Sequence, residues 1–331
     1  MSLLKNGKPL DDWLADQNKS GEYIRKDSQF RNWITADGSA GVSGESGFKA
    51  EAGRYHLYVS YACPWANRTL IFRKLKQLED IISVSVVHPD MEADGWKFDE
   101  YPGATIDHIN EFELMRDVYI LANPDYSGVI TVPVLWDKKQ ATIVNNESSE
   151  IIRMMNTAFN HLTGNADDYY PEELRDKIDV INDLVYDKVN NGVYRAGFAT
   201  TQVAYEKAFD ALFETLDQLE DQLSKHRYLV GDRITEADWR LFVTLVRFDA
   251  VYVGHFKCNL RRMDDYPNLS NYLRELYQCP GVASTINMDH IKRHYYFSHE
   301  SINPTRIVPK GPKLDFSLPH NRQQFKREGV S

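Results

Sequence analysis

Apolar residues in the first part of the chain recur with the periods of strands and helices in alternation. Residues 55–60 and 81–87 mix aromatic and β-branched side chains, which is typical of buried strands. Between them, Ile71, Leu75 and Leu78 are spaced to lie on one face of an amphipathic helix. A strand, a helix and a second strand make a βαβ unit, so the two strands are predicted to be parallel and joined by a right-handed crossover.

The next strand pattern contains a proline. Residues 129–136 are rich in β-branched side chains, but Pro133 cannot donate to a strand ladder, so the strand is expected to begin at Pro133 after a turn. Residues 141–144 form its partner strand. A helix then opens at residues 147–150, with Ser or Asn as the expected N-cap. The long connection over residues 89–128 is expected to be functional or partly helical.

From about residue 172 the period is helical throughout, which predicts an all-helical bundle. One helix has a clear start signal, with Thr235 as N-cap and Ile234 placed for a hydrophobic staple. The chain is long enough for two domains with separate cores. The predicted organisation is an extended N-terminal arm with a flexible loop (1–50), an α/β domain (51–160), an all-helical domain (170–300) and a polar, Pro-rich tail (301–331).

Charge and cysteine content narrow the function classes. A net charge of −9 argues against a surface for nucleic acid or anionic membrane. No apolar run approaches the roughly 20 residues of a membrane-spanning helix, and the N-terminus lacks a signal-peptide core. Three cysteines in 331 residues do not form a disulfide framework, which favours a reducing compartment, and the cytoplasm is expected. Cys258 and Cys279 lie among apolar and aromatic residues and are interpreted as structural.

Cys63 lies between the first predicted strand and its helix. Pro64 suits the first helical position, so Cys63 is the expected N-cap, with its sulfur facing the free N–H groups and the positive end of the helix dipole. The dipole alone lowers a thiol pKa by about one unit from roughly 8.5, so further donors are needed for a thiolate. Ala66 replaces the second cysteine of a redox motif, so an outside thiol must resolve any mixed disulfide. The alternative is a buried, inert cysteine.

This order of elements resembles the glutathione transferases, with a thioredoxin-like first domain and a helical second domain. The resemblance is closest to the glutathionyl-hydroquinone reductases, the Xi class, and covers about residues 20–310. A Cys-Pro-x-Ala motif alone would not identify this class, but the motifs together are specific for it. The motifs that carry it are Cys63-Pro64-Trp65-Ala66, Gly95-Trp96, residues 132–137, Asn146-Glu147-Ser148, residues 190–194, Arg247-Phe248-Asp249 with Val251-Tyr252, and residues 290–295.

The resemblance implies a glutathione site next to a nucleophilic Cys63. Pro133 is expected to be cis, and the backbone of Val132 to pair with the cysteinyl part of glutathione. Glu147 is expected to bind the γ-glutamyl ammonium, and Ser148, at a helix N-terminus, the γ-glutamyl carboxylate. The remaining glutathione-binding residues implied by the family are Trp96, Val129, Ile130, Thr131 and, as a candidate for the glycyl carboxylate, Arg116.

The resemblance also implies the chemistry. Tyr194 is expected to act as general acid and base, and Tyr252 and Tyr295 to hold the quinol oxygen and the thiolate. Cys63 would take glutathione from a glutathionyl-hydroquinone, and a second glutathione would release glutathione disulfide. Glutathione is a co-substrate in this scheme, no metal or flavin is needed, and the chain is expected to be a homodimer.

Three alternative functions fit the same fold. A general glutathione-dependent thiol transferase or dehydroascorbate reductase would use Cys63 without a quinol pocket. A non-catalytic interaction module would tolerate loss of Cys63, which the presence of Glu147 and Ser148 beside it argues against. A conjugating transferase is disfavoured because conjugation needs the thiolate of glutathione itself, usually stabilised by Ser or Tyr.

Overall fold

The computed structural model describes residues 3–10 and 20–325 and divides the chain into two compact units. The predicted arm and tail therefore fall partly outside the described residues. Unit 1 contains, as far as they are described, Met1–Asp16, Arg25–Asp167 and Thr285–Ser298. Unit 2 contains the described residues of Gln17–Ile24, Asp168–Ser284 and His299–Ser331.

A four-stranded mixed sheet forms the core of unit 1, in the order β4-β3-β6-β7. Strands β3 and β4 are parallel, as the βαβ pattern predicted, whereas β6 runs antiparallel to both β3 and β7. Every residue of β3 is buried. The strands are β3 (Tyr55–Val59), β4 (Ser83–Val86), β6 (Val134–Asp137) and β7 (Thr142–Asn145).

The helices of unit 1 confirm the predicted order of elements. Helix α1 (Pro64–Leu75) joins the parallel strands and packs against α3 (Ser148–Thr157), which follows the β6–β7 hairpin. The long connection is partly helical, as expected, because it contains α2 (Met115–Ala122). A short α4 (Asn160–Thr163) follows α3. The sheet and helices together make the thioredoxin-like half of the predicted fold.

The described part of the N-terminal arm, residues 3–10 and 20–50, is more ordered than predicted. Strands β1 (Leu3–Lys5) and β2 (Lys8–Leu10) form a hairpin, and β1 also pairs with β5 (Gly128–Val129). The Gly- and Ser-rich stretch expected to be a flexible loop is closed by a hydrogen bond of 2.8 Å from the N–H of Gly47 to the carbonyl of Gly38. Backbone hydrogen bonds of this kind do not depend on the spacing of apolar residues, so the sequence pattern did not predict them.

Unit 2 is all-helical. The predicted N-cap at Thr235 is confirmed, because Thr235 and Asp238 form a capping box at the start of α8. No helix in residues 3–10 and 20–325 is long and apolar enough to cross a bilayer. The helices are α5 (Arg175–Leu184), the π-helical Val185–Asn190, α6 (Gly192–Gly197), α7 (Gln202–Lys225), α8 (Glu236–Arg247), the π-helical Phe248–Tyr252 and α9 (Pro267–Tyr277).

Helix α10 (Met288–Ser298) groups with unit 1, although the predicted boundary at residue 300 places it in the helical domain. Polar contacts account for the difference. Arg293 of α10 makes two hydrogen bonds of 2.6 Å to Asp90, and the imidazole Nε2 of His290 lies 2.8 Å from the carbonyl oxygen of Pro102. The helical period alone cannot show which sheet or bundle a helix joins.

The described part of the polar tail, residues 301–325, packs on unit 2 through Arg322. Arg322 is fully buried, and its guanidinium donates to the carbonyl oxygens of Leu223, His226 and Arg227 at 2.5–2.8 Å. These carbonyls lie at or just beyond the end of α7, where the last turn of a helix leaves acceptors unsatisfied. The tail therefore caps a helix, a role that its Pro-rich composition did not indicate.

Candidate active site

Cys63 lies at the joint between β3 and α1, as the sequence predicted. It is the N-cap of α1 with extended backbone angles (φ −75°, ψ 120°), and Pro64 occupies the first turn. Its sulfur makes no capping hydrogen bond to the helix. Instead the thiol donates to the carbonyl oxygen of Val132 at 3.3 Å. The sulfur is thus held at the positive end of the helix dipole by a contact from the neighbouring strand segment.

Val132 offers the backbone groups that a peptide-like ligand could pair with. The Val132–Pro133 bond is cis, and β6 begins at the next residue, Val134. Within the described residues, the N–H of Val132 donates no hydrogen bond, although Val132 itself is 4% exposed. Because buried backbone N–H groups are nearly always paired, this donor next to the Cys63 thiol is available to a ligand.

The three residues before Val132 have other partners. Val129 belongs to β5 and pairs with Leu3 of the N-terminal hairpin. Ile130 is fully buried. Thr131 exchanges hydrogen bonds with Tyr119, whose hydroxyl donates to the Thr131 carbonyl at 2.9 Å and lies 3.3 Å from its N–H. These contacts fix the segment that leads to Val132, and a direct role of the three in ligand binding stays a prediction.

Glu147, rather than a Ser or Asn, is the N-cap of α3. Its Oε1 accepts hydrogen bonds from the N–H and the hydroxyl of Ser149, at 3.1 and 2.9 Å, and its Oε2 accepts one from the hydroxyl of Ser28 at 3.1 Å. The prediction of Ser or Asn as the N-cap was therefore wrong. A glutamate side chain is also long enough to turn back and cap the helix that follows it.

The Glu147 carboxylate is charged although it is half-buried. Burial raises its pKa, but the hydrogen bonds from Ser149, the nearby charge of Arg68 and the hydrogen bond from Ser28 outweigh burial and hold the pKa below its ordinary value. A carboxylate oxygen has two acceptor positions, and within the described residues Oε2 uses one of them. An ammonium group could therefore bind to this oxygen.

Arg68 is a site residue that the sequence analysis did not identify. It is 1% exposed, and its Nη1 lies 3.4 Å from the hydroxyl oxygen of Ser148, the first residue of α3. Its guanidinium also lies over the ring of Trp65, 4.6 Å from the centroid. The sequence contained one signal: Arg68 falls on the same face of α1 as Ile71 and Leu75, where a charged residue is unusual.

Together, Ser148 and Arg68 have the chemistry that could bind an anion. The N–H of Ser148 donates no hydrogen bond within the described residues, as is usual in the first turn of a helix. A carboxylate placed here would meet that N–H, the Ser148 hydroxyl, a buried guanidinium and the positive end of the α3 dipole.

Trp96 is held by helix α10. Its indole is 6% exposed and stacks on the imidazole of His294, with ring centroids 4.6 Å apart and planes 20° apart. Burial lowers the pKa of His294 to about 4, so the ring is neutral near pH 7. Its Nδ1 lies 2.9 Å from the carbonyl oxygen of Pro89 and must carry the proton, since a carbonyl only accepts. The packing fixes the orientation of Trp96.

Arg116, the candidate for the glycyl carboxylate, is paired within the protein. Its guanidinium makes an ion pair of 2.9 Å with Asp94, whose side chain is 70% exposed. Because the Asp94 side of the pair is open to water, the pair contributes little to stability and can be exchanged for another partner. The role of Arg116 in ligand binding stays a prediction.

The tyrosines predicted for catalysis belong to different units. Tyr295 lies on α10 in unit 1 and is 2% exposed. Tyr194, on α6, and Tyr252, in the π-helical segment, both belong to unit 2, where their ring centroids are 6.3 Å apart. Phe256 packs on both rings at 5.5 Å.

The other two cysteines are poor nucleophiles. Cys258 is fully buried, and burial raises its pKa. Burial also raises the pKa of Cys279, to about 12. The three cysteines, all within the described residues, form no disulfide, and Cys63 is half-buried. Among the described residues, no group of three or more His, Cys, Asp or Glu side chains is placed to hold a metal ion.

Comparisons with known proteins point to one family. The model described as "Glutathione S-transferase, N-terminal domain" matches residues 62–158, and "Glutathione S-transferase, C-terminal domain" matches residues 202–275. Glutathionyl-hydroquinone reductase YqjG of Escherichia coli K12 is 56% identical over 97% of this chain and 98% of its own. Glutathionyl-hydroquinone reductase PcpF of Sphingobium chlorophenolicum is 54% identical over 94% of this chain and 96% of its own.

Solved structures agree with these matches. The glutathione-bound structure of YqjG has a TM-score of 0.90 and 55% identity, and covers 98% of this chain and 100% of its own. The glutathione transferase Xi of Phanerochaete chrysosporium has a TM-score of 0.87 and 56% identity, and covers 92% of this chain and 97% of its own.

The environments of the cysteines predict selective alkylation. We expect iodoacetamide at neutral pH to modify Cys63 well before Cys279 or Cys258, because burial raises the pKa of the latter two thiols, whereas Cys63 is half-buried at the N-terminus of a helix. Peptide mapping by mass spectrometry along a time course measures the three rates separately. Equal labelling of Cys63 and Cys279 in the native protein would contradict the assignment of Cys63 as the reactive thiol.

Proposed function

The chain belongs to the Xi class of the glutathione transferase family, and on that basis we propose that it is a glutathionyl-hydroquinone reductase. The observation that carries the proposal is the Cys63 thiol at the start of α1, in contact with Val132 and beside an available backbone N–H. Relatives named for this activity match nearly the whole chain at more than half identity. The reaction reduces a glutathionyl-hydroquinone to the hydroquinone and consumes one further glutathione.

Unit 1 carries the groups that glutathione requires. We assign the N–H and carbonyl of Val132 to the cysteinyl part of the tripeptide. The Glu147 carboxylate receives the γ-glutamyl ammonium, and Ser148 with Arg68 receives the γ-glutamyl carboxylate. The acceptor position on Glu147 and the donors around Ser148 support this orientation of the γ-glutamyl group. The two residues are adjacent, and the first favours a cation whereas the second favours an anion. Trp96 forms an apolar wall.

In the first half of the reaction, the Cys63 thiolate attacks the sulfur of the glutathionyl group. A disulfide forms between Cys63 and glutathione as the bond from sulfur to the ring carbon breaks. An aromatic carbon is a poor leaving group, so the ring must first take its keto form, with a proton added at that carbon. The departing electron pair then settles as an enolate, which is protonated to the hydroquinone. We assign these proton transfers to Tyr194, with Tyr252 and Tyr295 stabilising the ring oxygen and the thiolate.

In the second half, a second glutathione attacks the glutathionyl sulfur of the mixed disulfide. Glutathione disulfide leaves and Cys63 returns as a thiolate, ready for the next cycle. An outside thiol is required because Ala66 stands where a resolving cysteine would lie. The net reaction exchanges the glutathionyl group on the ring for hydrogen, and the electrons come from two glutathione sulfurs.

The setting of this chemistry is also a proposal. We expect the chain to act in the cytoplasm as a homodimer, without metal or flavin, nucleic acid or membrane partners. The absence of a disulfide among the three cysteines, all of them in the described residues, supports a reducing compartment. Dimerisation is carried over from the family resemblance.

A general glutathione-dependent thiol transferase is the second candidate. The observation that favours it is the fission yeast relative named "Glutathione S-transferase omega-like 2", which is 49% identical over 92% of this chain. This activity would use Cys63 and the same glutathione groups but would not need Tyr194. The two activities can coexist in one protein.

Replacing the nucleophile tests the function directly. We expect Cys63→Ser to abolish reduction of a glutathionyl-hydroquinone, because a serine hydroxyl neither ionises near pH 7 nor forms a disulfide. The matched control is Cys279→Ser, which removes a half-buried thiol of raised pKa and should leave turnover near the wild-type value. Turnover is followed as hydroquinone release with excess glutathione. Retained turnover in Cys63→Ser would refute the assignment.

Removing the charge of Glu147 tests the γ-glutamyl site. We expect Glu147→Gln to weaken glutathione binding by about ten- to a hundredfold, because a charge-assisted hydrogen bond is lost. Glu150→Gln, one turn along the same helix end and paired with Arg31, is the matched control and should bind normally. Calorimetric titration of each variant with glutathione gives the affinities. Equal affinities for the two variants would remove Glu147 from the site.

Tyr194→Phe separates the reductase from the thiol transferase. We expect it to lower turnover of a glutathionyl-hydroquinone by about 10²–10⁴-fold, the usual contribution of a general acid or base. Turnover of a simple mixed disulfide of glutathione should change little, because that exchange requires no proton at carbon. If both substrates lose activity equally, the proton-transfer role of Tyr194 is excluded.

A further inference from the structure

An aromatic cluster surrounds Tyr194 in unit 2, and one of its members comes from the N-terminal segment. The ring of Tyr194 lies 5.5 Å from Phe256, 6.2 Å from Phe198, 6.3 Å from Tyr252 and 6.4 Å from Tyr23. Tyr23 also packs on Phe198, with centroids 5.4 Å apart. Neither the predicted mechanism nor the motifs of the sequence analysis include Tyr23.

Tyr23 differs from the other members of the cluster in exposure. Tyr194 is 8% exposed, Phe198 is 4% exposed, and Phe256 and Tyr252 are fully buried. Tyr23 is only half-buried. Its ring therefore forms the outer wall of the cluster, and it stacks on Tyr194 with the two planes 29° apart.

The backbone around Tyr23 is fixed to the loop that follows α6. The N–H of Thr200 donates to the carbonyl of Gly21 at 3.1 Å, and the hydroxyl of Thr201 donates to the carbonyl of Ser20 at 2.8 Å. Glu22 makes an ion pair of 2.7 Å with Lys207 of α7. These contacts flank Tyr23 on the N-terminal side and set its position along the loop.

Gly21 allows this close approach. Its φ of +81° lies in the left-handed region, and a Cβ atom there would stand 2.7 Å from the Thr200 hydroxyl and 2.8 Å from the Thr201 methyl group. The segment is therefore shaped to lie against the loop, and α6, which carries Tyr194, ends at Gly197, three residues before Thr200.

We propose that Tyr23 is a positioning residue for Tyr194 in the reductase reaction. Its ring blocks sideways displacement of the Tyr194 ring about the Cα–Cβ bond, so that the phenol oxygen keeps one position for proton transfer. Loss of such positioning by about 1 Å can cost roughly 10²-fold in rate. The face of the Tyr23 ring holds Tyr194 in place by packing on it, and the Tyr23 hydroxyl is not required. This inference rests on the proposed function, because it presumes that Tyr194 transfers protons.

The test compares two substrates in variants of the full chain. We expect Tyr23→Ala to lower kcat for a glutathionyl-hydroquinone by about tenfold or more while leaving kcat for a simple mixed disulfide of glutathione unchanged. The separate variant Tyr23→Phe, which keeps the ring, should have the wild-type rate on both substrates. The matched control is Ile24→Ala, at the next residue, whose side chain is 47% exposed. It should leave both rates unchanged. The KM for glutathione should not move in any variant.

Two outcomes would overturn the inference. In one, Tyr23→Ala keeps the wild-type ratio of the two rates, so Tyr23 does not act through Tyr194. In the other, both rates fall together, so Tyr23 only supports the fold. Tyr23→Leu, which keeps an apolar side chain of similar bulk, gives the same comparison if the alanine variant does not fold. A failure of the proposed function looks different, because then the wild-type chain itself does not reduce the glutathionyl-hydroquinone.

Discussion

The hydrogen bond from the Cys63 thiol to the Val132 carbonyl is the contact on which the account depends. It joins the start of α1 to the turn before β6, two parts of the chain that are 69 residues apart. The thiol is thereby placed at the positive end of a helix and beside a backbone N–H that nothing else in the described residues uses. Thiol–disulfide exchange with a glutathione-like tripeptide requires a reactive sulfur close to backbone groups that can pair with the peptide, and both are present here.

Other parts of unit 1 support this arrangement from a distance in sequence. Ser28 of the N-terminal arm bonds to Glu147, Arg68 of α1 reaches Ser148, and His294 of α10 stacks on Trp96. Each side chain that we assign to glutathione is therefore oriented by a second side chain from another segment. The groups are set before a ligand arrives, so binding requires little ordering of the protein.

The sequence predicted the elements that follow from period and start signals. Parallel β3 and β4, the proline at the start of α1 and the N-cap at Thr235 all depend on local patterns, and the structure confirms them. Features that depend on tertiary contacts were missed. The buried Arg68, the grouping of α10 with unit 1 and the capping of α7 by Arg322 all place polar groups against partners far along the chain. No local pattern records those partners. The assignment of Tyr194, Tyr252 and Tyr295 came from family resemblance alone.

Mass spectrometry of a single turnover tests the central claim most directly. The wild-type protein is mixed with a glutathionyl-hydroquinone in the absence of free glutathione, quenched with acid and mapped by peptide. The account predicts release of one hydroquinone per chain and a glutathionyl adduct on the peptide that contains Cys63, which disappears when glutathione is added. Hydroquinone release without an adduct on Cys63, or an adduct on another cysteine, would contradict it.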